Sequence, residues 1–155
     1  MGATAHDLTL VGWREWLALP ELGIPVLRAK LDTGARSSSL HVERWELFDR
    51  GGVRWVRFEL RPGSRKGKRE QRLEAPVIDT RAVTDSSGNR AVRPFIRTRV
   101  RLGEATWPIE INLTNRKGML FPMLLGRTAM AGRFMVEPAR SFVLPRPQRR
   151  EARAK

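Results

Sequence analysis

Cysteine and tyrosine are absent from this chain, and histidine occurs only twice, at His6 and His41. Without cysteine there is no disulfide and no thiolate metal site, a composition that suits a cytoplasmic protein without fixing its redox compartment. A catalytic zinc ion takes three protein ligands, and two histidines with no His-Glu-x-x-His pattern do not supply them. His6 falls in a terminus with little to hold it; His41 follows an apolar strand start, where a structural role is the simpler one. The Gly-x-x-x-x-Gly-Lys-Ser/Thr loop that cradles ATP phosphates is missing as well. No stretch approaches the roughly 18 apolar residues of a membrane span, and Met1–Asp7 lacks the basic and apolar regions of a secretory signal. The expectation is a cytoplasmic protein that uses no cofactor, no metal and no membrane.

Acidic residues are also scarce: 16 Asp and Glu stand against 30 Lys and Arg, a formal charge of +14. Such a field attracts polyanions, whether nucleic acid, a ribosome, an acidic membrane surface or an acidic polypeptide. Part of the excess lies in residues 146–155, which have almost no apolar content and read as a basic disordered tail.

What is present is enough for one folded domain. The 155 residues are too few for two ordinary domains, and 41% of them are hydrophobic, five being Trp. The expected organisation is a flexible N-terminus (1–7), a folded domain (8–145) and the tail. Apolar runs are short, rich in Val, Ile, Leu, Trp and Phe, and broken by Gly, Pro, Asn and Ser, which predicts an all-β fold. The candidate strands are Leu8–Leu17, Pro25–Asp32, Leu40–Asp49, Val53–Leu60, Gln71–Thr84, Ala91–Leu102, Ala105–Asn112 and Arg140–Leu144. Val53–Leu60 and Arg97–Leu102 each read as placing cations on one wet face. Asp85-Ser86-Ser87-Gly88-Asn89 reads as the tip of a long hairpin, and Pro62–Arg69 as a basic loop. The one helical piece is Arg127–Ala131, closed by Gly132. All five Trp fall within apolar strand patterns and read as core.

The segment that carries chemistry is Asp32-Thr33-Gly34-Ala35, set between Val26-Leu27-Arg28-Ala29-Lys30-Leu31 and Ser37-Ser38-Ser39-Leu40. It places an acid where a strand enters a tight turn. Gly34 allows two such loops to approach each other. A carboxylate of this kind activates water only when a second one shares its proton: repulsion raises one pKa, the other stays ionised, and the pair titrates as a unit. The motif occurs once and the chain has no internal repeat, so the pair requires two chains.

Three stretches in order, Lys30–His41, the hairpin around Asp85–Arg93, and Arg116-Lys117-Gly118-Met119-Leu120-Phe121-Pro122-Met123-Leu124-Leu125-Gly126-Arg127, resemble the retropepsin-like aspartic proteases. Closer still, the chain resembles the bacterial RimB group associated with RimK-type glutamate ligases, once described as ATP-dependent zinc proteases. The resemblance implies a closed, mostly antiparallel β-barrel with one short helix near its C-terminus, acting as a homodimer. It also implies that Asp32, Thr33 and Gly34 form the catalytic loop, with the Thr33 hydroxyl bonding across the pair and Ser37 orienting the loop from behind. Leu124-Leu125-Gly126-Arg127 would then pack beneath it, and the Val83–Val92 hairpin would be a flap closing over substrate.

Arg36 stands where retroviral enzymes carry an acid that contacts substrate. This reverses the local sign, and Lys30, Ala35, Arg36, Arg81, Arg90, Arg93, Arg116, Lys117 and Arg127 become the candidate substrate-binding residues. The substrate class is therefore acidic. By resemblance it is the poly-glutamate tail that a RimK-type ligase adds to a small-subunit ribosomal protein, with guanidinium groups pairing to carboxylates. The rival reading is a non-catalytic RNA- or ribosome-binding module on the same fold, its Trp side chains stacking on bases.

Overall fold

The computed structural model describes residues 7–60, 71–115 and 120–147. The loop Pro62–Arg69, His6, Arg116, Lys117 and most of the two expected flexible ends lie outside the described residues. The alternating runs of the sequence become twelve strands: β1 (Thr9–Gly12), β2 (Arg14–Leu19), β3 (Ile24–Asp32), β4 (Ser38–His41), β5 (Arg44–Arg50), β6 (Val53–Leu60), β7 (Gln71–Pro76), β8 (Asp79–Thr84), β9 (Arg90–Leu102), β10 (Ala105–Thr114), β11 (Met123–Gly126) and β12 (Phe134–Glu137). One short helix, α1 (Arg127–Met130), follows β11 directly.

Six of the strands close on themselves in the order β10-β4-β11-β3-β2-β9, with β9 returning to β10. The contacts β10–β4 and β11–β3 are parallel, and the other four are antiparallel. The expected closed, mostly antiparallel ring is thus present. Leu17, Leu19, Ile24, Leu40, Ile96, Leu102, Ile111, Leu113, Met123 and Leu125 fill it, each less than 2% exposed. Outside the ring, β8 continues the sheet from β9 as a projecting hairpin, β5-β6-β7 form a separate three-stranded sheet, and β1 pairs in parallel with β12.

Three long candidate strands are each divided. Leu8–Leu17 breaks after Gly12, because the Arg140 carbonyl packs where a side chain at Gly12 would lie. Leu40–Asp49 breaks between His41 and Arg44 as the chain leaves the ring for the outer sheet, and Gln71–Thr84 breaks where the chain comes back to it. Arg140–Leu144 is not a ladder strand; it is tied along β2 by a buried carboxylate. Glu15, fully buried, accepts from the amides of Gly12 (2.7 Å), Val143 (2.8 Å) and Leu144 (3.1 Å). The amides of Trp13 and Phe142 bond to the Arg140 and Arg14 carbonyls, both at 2.9 Å. Strands β11 and β12 appear where no strand was expected.

Arg97, Arg99 and Arg101 share the outer face of β9 as expected, but Arg54 and Arg57 do not share a face. They are an odd number of residues apart, so the alternation of β6 sends them to opposite sides. Arg57 bonds Glu74 and Glu46, both at 2.9 Å, and these contacts raise its pKa, Glu74 contributing most.

Of the five Trp, only Trp107 is buried. Trp13, Trp16 and Trp55 are half-buried, each with a guanidinium over its ring, from Arg14 at 4.8 Å, Arg146 at 4.4 Å and Arg50 at 4.5 Å. A chain so rich in Arg covers aromatic faces with its own cations instead of burying them.

Candidate active site

The loop that carries Asp32 is held by the ring beneath it. Asp32 is the last residue of β3 and lies beside Gly126, the last residue of β11, in a parallel register. Its Oδ1 accepts the Gly34 amide at 2.9 Å and its carbonyl accepts the Ala35 amide at 3.2 Å, so the turn closes on the acid itself. The other side of the loop is strapped to β11 and α1. The Arg127 amide bonds to the Ala35 carbonyl at 2.7 Å, the Thr128 hydroxyl to the Arg36 carbonyl at 2.6 Å, and the Gly126 amide to the buried Ser38 hydroxyl at 2.9 Å. A Cβ on Gly126 would stand 2.5 Å from the Ser37 carbonyl oxygen. The apolar-apolar-Gly pattern is thus explained: Leu125 enters the core, and Gly126 lets the loop lie against the strand.

A second support is Asn112 on β10, fully buried. Its Nδ2 donates to the Ser38 carbonyl at 2.9 Å, while its Oδ1 accepts from the Ser39 hydroxyl and from Arg93, each at 3.0 Å. One carboxamide therefore joins β4, the strand after the Asp32 loop, to the base of the hairpin. Sequence reasoning did not find it, since an Asn near a strand end reads as turn chemistry. The loop-orienting hydroxyl belongs to Ser38; Ser37 contributes its carbonyl to the close contact with Gly126.

Asp32 opens into a cleft of about 1030 Å³. Lys30, Ala35, Arg36, Arg81 and Arg93 line it, with Trp13 and Phe121 at the rim and residues 81–86 of the hairpin forming one wall. Five of the nine expected substrate-binding residues are thus brought together. Arg90 is exposed at the far end of the hairpin, paired with Thr84. Arg127 reaches the back of the loop, its Nη1 lying 3.4 Å from the Gly34 carbonyl, and does not line the cleft.

Arg81 is present but committed elsewhere: it pairs with Asp79 at 2.9 Å and Glu110 at 3.0 Å, and lies over the Phe95 ring at 4.4 Å. Asp79 first and Glu110 second raise its pKa. The cleft's other carboxylate, Asp85, caps the hairpin tip by accepting the Ser87 and Asn89 amides, at 2.9 and 3.0 Å. Among the described residues that line the cleft, Asp32 is accordingly the one carboxylate on the loop after β3. Among the described residues no three His, Asp or Glu side chains gather in a group that could hold a metal ion.

A closed ring of strands that offers an Asp-Thr-Gly turn, backed by a Leu-Leu-Gly segment, defines a retropepsin-like domain. Residues 10–147 match the model of the family described as RimB-like, "Retropepsin-like aspartic endopeptidase RimB". The chain belongs to that family. It is 44% identical over 130 residues to a probable alpha-L-glutamate ligase of Desulfotalea psychrophila, covering 84% of this chain and 28% of the relative. A protein of the same name from Parasynechococcus marenigrum is 44% identical over 135 residues, covering 87% and 29%. The chain thus spans less than a third of the curated relatives it matches. A solved Legionella pneumophila protein described as having unknown function superposes with a TM-score of 0.70 at 31% identity, covering 87% of this chain and 97% of that one. No helix among the described residues is long and apolar enough to cross a membrane.

Proposed function

We propose that this protein is an aspartic endopeptidase that works as a homodimer, the Asp32 carboxylates of two copies forming the catalytic dyad on the two-fold axis. The observation that carries this reading is Asp32 lining a large cleft, on a loop tied from behind to β11 and α1, with no second carboxylate beside it among the described residues to share a proton. In the dyad one carboxylate takes a proton from water as the water attacks the peptide carbonyl, and the other donates a proton to the carbonyl oxygen. Collapse of the tetrahedral intermediate breaks the C–N bond, the amine leaving with a proton. No covalent enzyme intermediate forms.

The substrate in this reading is an acidic polypeptide, the poly-glutamate tail that a RimK-type ligase adds to a small-subunit ribosomal protein. Support comes from Lys30, Arg36 and Arg93 around the acid, from the family, and from relatives that carry a matching segment within chains named glutamate ligases. The RNA-binding alternative is not favoured, because three of the five Trp rings are half-covered by the protein's own arginines.

The test is incubation with a glutamylated and an unmodified ribosomal protein, followed by mass measurement. Loss of glutamates from the first alone is expected, with activity per chain falling on dilution and abolished in Asp32→Asn. Cleavage that survives Asp32→Asn would refute the assignment.

A further inference from the structure

Around the corner from the cleft lies a second pocket of about 540 Å³, between the middle of β9, the start of β10 and the loop after α1. It shares Arg36, Phe95 and Arg81 with the cleft and adds Arg97, Arg133 and Trp107. Its one acid, Glu110, is already paired with Arg81 at 3.0 Å. Arg36, Arg97 and Arg133 are exposed and form no ion pair among the described residues; Glu110 stands opposite Arg97 in the β9–β10 register but is bonded to Arg81. Arg133 is held in place over the Trp107 ring at 4.9 Å. Such a pocket attracts negative charge, because four arginines line it against a single carboxylate.

The strand geometry links it to the catalytic cleft. Arg93, Phe95 and Arg97 lie on one face of β9, two residues apart each time. Arg93 is in the cleft, Phe95 is shared by both pockets beneath the Arg81 guanidinium, and Arg97 is in the second pocket. At about 3.3 Å per residue, Arg93 and Arg97 are roughly 13 Å apart along the strand, which is the span of four residues in an extended peptide.

We propose that the second pocket is an anion exosite that holds a carboxylate of an acidic chain about four residues from the carboxylate seated in the cleft. The inference rests on the acidic-peptide reading above and adds a length rule to it. A glutamate chain too short to span both pockets engages one set of cations; a longer one engages both. Arg97 and Arg133 are then specificity residues, with no part in the bond-breaking step.

The test separates exosite from enzyme by using the inactive Asp32→Asn protein and uncleaved glutamate oligomers of three and eight residues, with affinity read by calorimetry. The octamer is expected to bind at least tenfold more tightly than the trimer, since each charge-assisted contact contributes about a decade. Adding Arg97→Gln and Arg133→Gln should remove that advantage and leave trimer affinity within about twofold. An advantage that persists in the triple variant overturns the exosite. So does equal loss on Arg99→Gln, which removes the same charge from β9 outside the pocket. Thermal unfolding of each variant shows that it is folded, and Arg97→Lys with Arg133→Lys should restore part of the advantage. If the octamer advantage behaves as expected but the wild-type protein cleaves no acidic peptide, the peptidase reading fails and the anion site stands.

Discussion

Replacing Gly126 by Ala tests whether the Asp32 loop takes its position from β11. The added methyl would stand 2.5 Å from the Ser37 oxygen, 2.6 Å from the Ser37 carbonyl carbon and 3.0 Å from the Ala35 oxygen. The Gly126 backbone is extended, with φ −88° and ψ 170°, so Ala meets no conformational strain there and the whole cost is steric. Restoring ordinary contact requires a retreat of about 0.9 Å, and both colliding groups are backbone of the loop that carries Asp32. Overpacking of this kind costs about 1–3 kcal/mol, which at this chain length lowers Tm by about 3–9 °C. A displacement near 1 Å at a reacting carboxylate should lower kcat about a hundredfold. Thermal unfolding followed by tryptophan fluorescence, and steady-state hydrolysis of an acidic peptide, read the two effects. A variant that unfolds and cleaves like the parent refutes the packing argument. One that loses stability but keeps kcat refutes the link between β11 and the acid.

Two further predictions concern charge. Glu15→Gln leaves one oxygen and an NH₂ group for three backbone donors, so at least one N–H faces another; unfolding in urea should show a loss of about 2–4 kcal/mol, and an unchanged midpoint would contradict the bonding described. The Arg81 guanidinium, then the Thr80 amide, hold the Asp79 carboxyl below its ordinary value. Its contribution to the hairpin is therefore complete above the unfolded carboxylate pKa and is lost as pH falls through the lower folded one. A carboxyl NMR titration should place Asp79 below a free aspartate, and Arg81→Gln should return it upward; identical titrations in the two proteins would be evidence against the pairing.

Strands with clean period-two patterns were legible from the sequence. Val53–Leu60 matches β6 at both ends, and Ala91–Leu102 differs from β9 by one residue. Asp32, the Leu-Leu-Gly-Arg segment and the hairpin were legible because their residue types and order are unusual together. What the pattern hid was long-range. β11 is four residues long and β12 another four, too short for alternation to register, and both take their structure from partners more than eighty residues away in the sequence. Glu15 looks like a solvent-facing acid on an alternating strand until residues 143 and 144 bring their amides to it. Asn112 is hidden in the same way, since its partners come from β4 and β9. Arg81 has the charge expected of a substrate contact, and only the fold shows Asp79 and Glu110 taking it up.

The tie between Glu15 and the amides of Val143 and Leu144 joins residues 128 and 129 positions apart, and β1 has β12 as its ladder partner. During synthesis the first strands leave the ribosome long before the segments that satisfy them. Contacts of such separation slow folding, because the loop must close before any of them forms. The ring cannot be laid down strand by strand, since β11 must enter between β3 and β4, and the outer seam is sewn only when residues 134–144 arrive. A nascent chain stopped short of them would carry an unsatisfied carboxylate and an open edge, recognisable to a chaperone or a protease as unfinished.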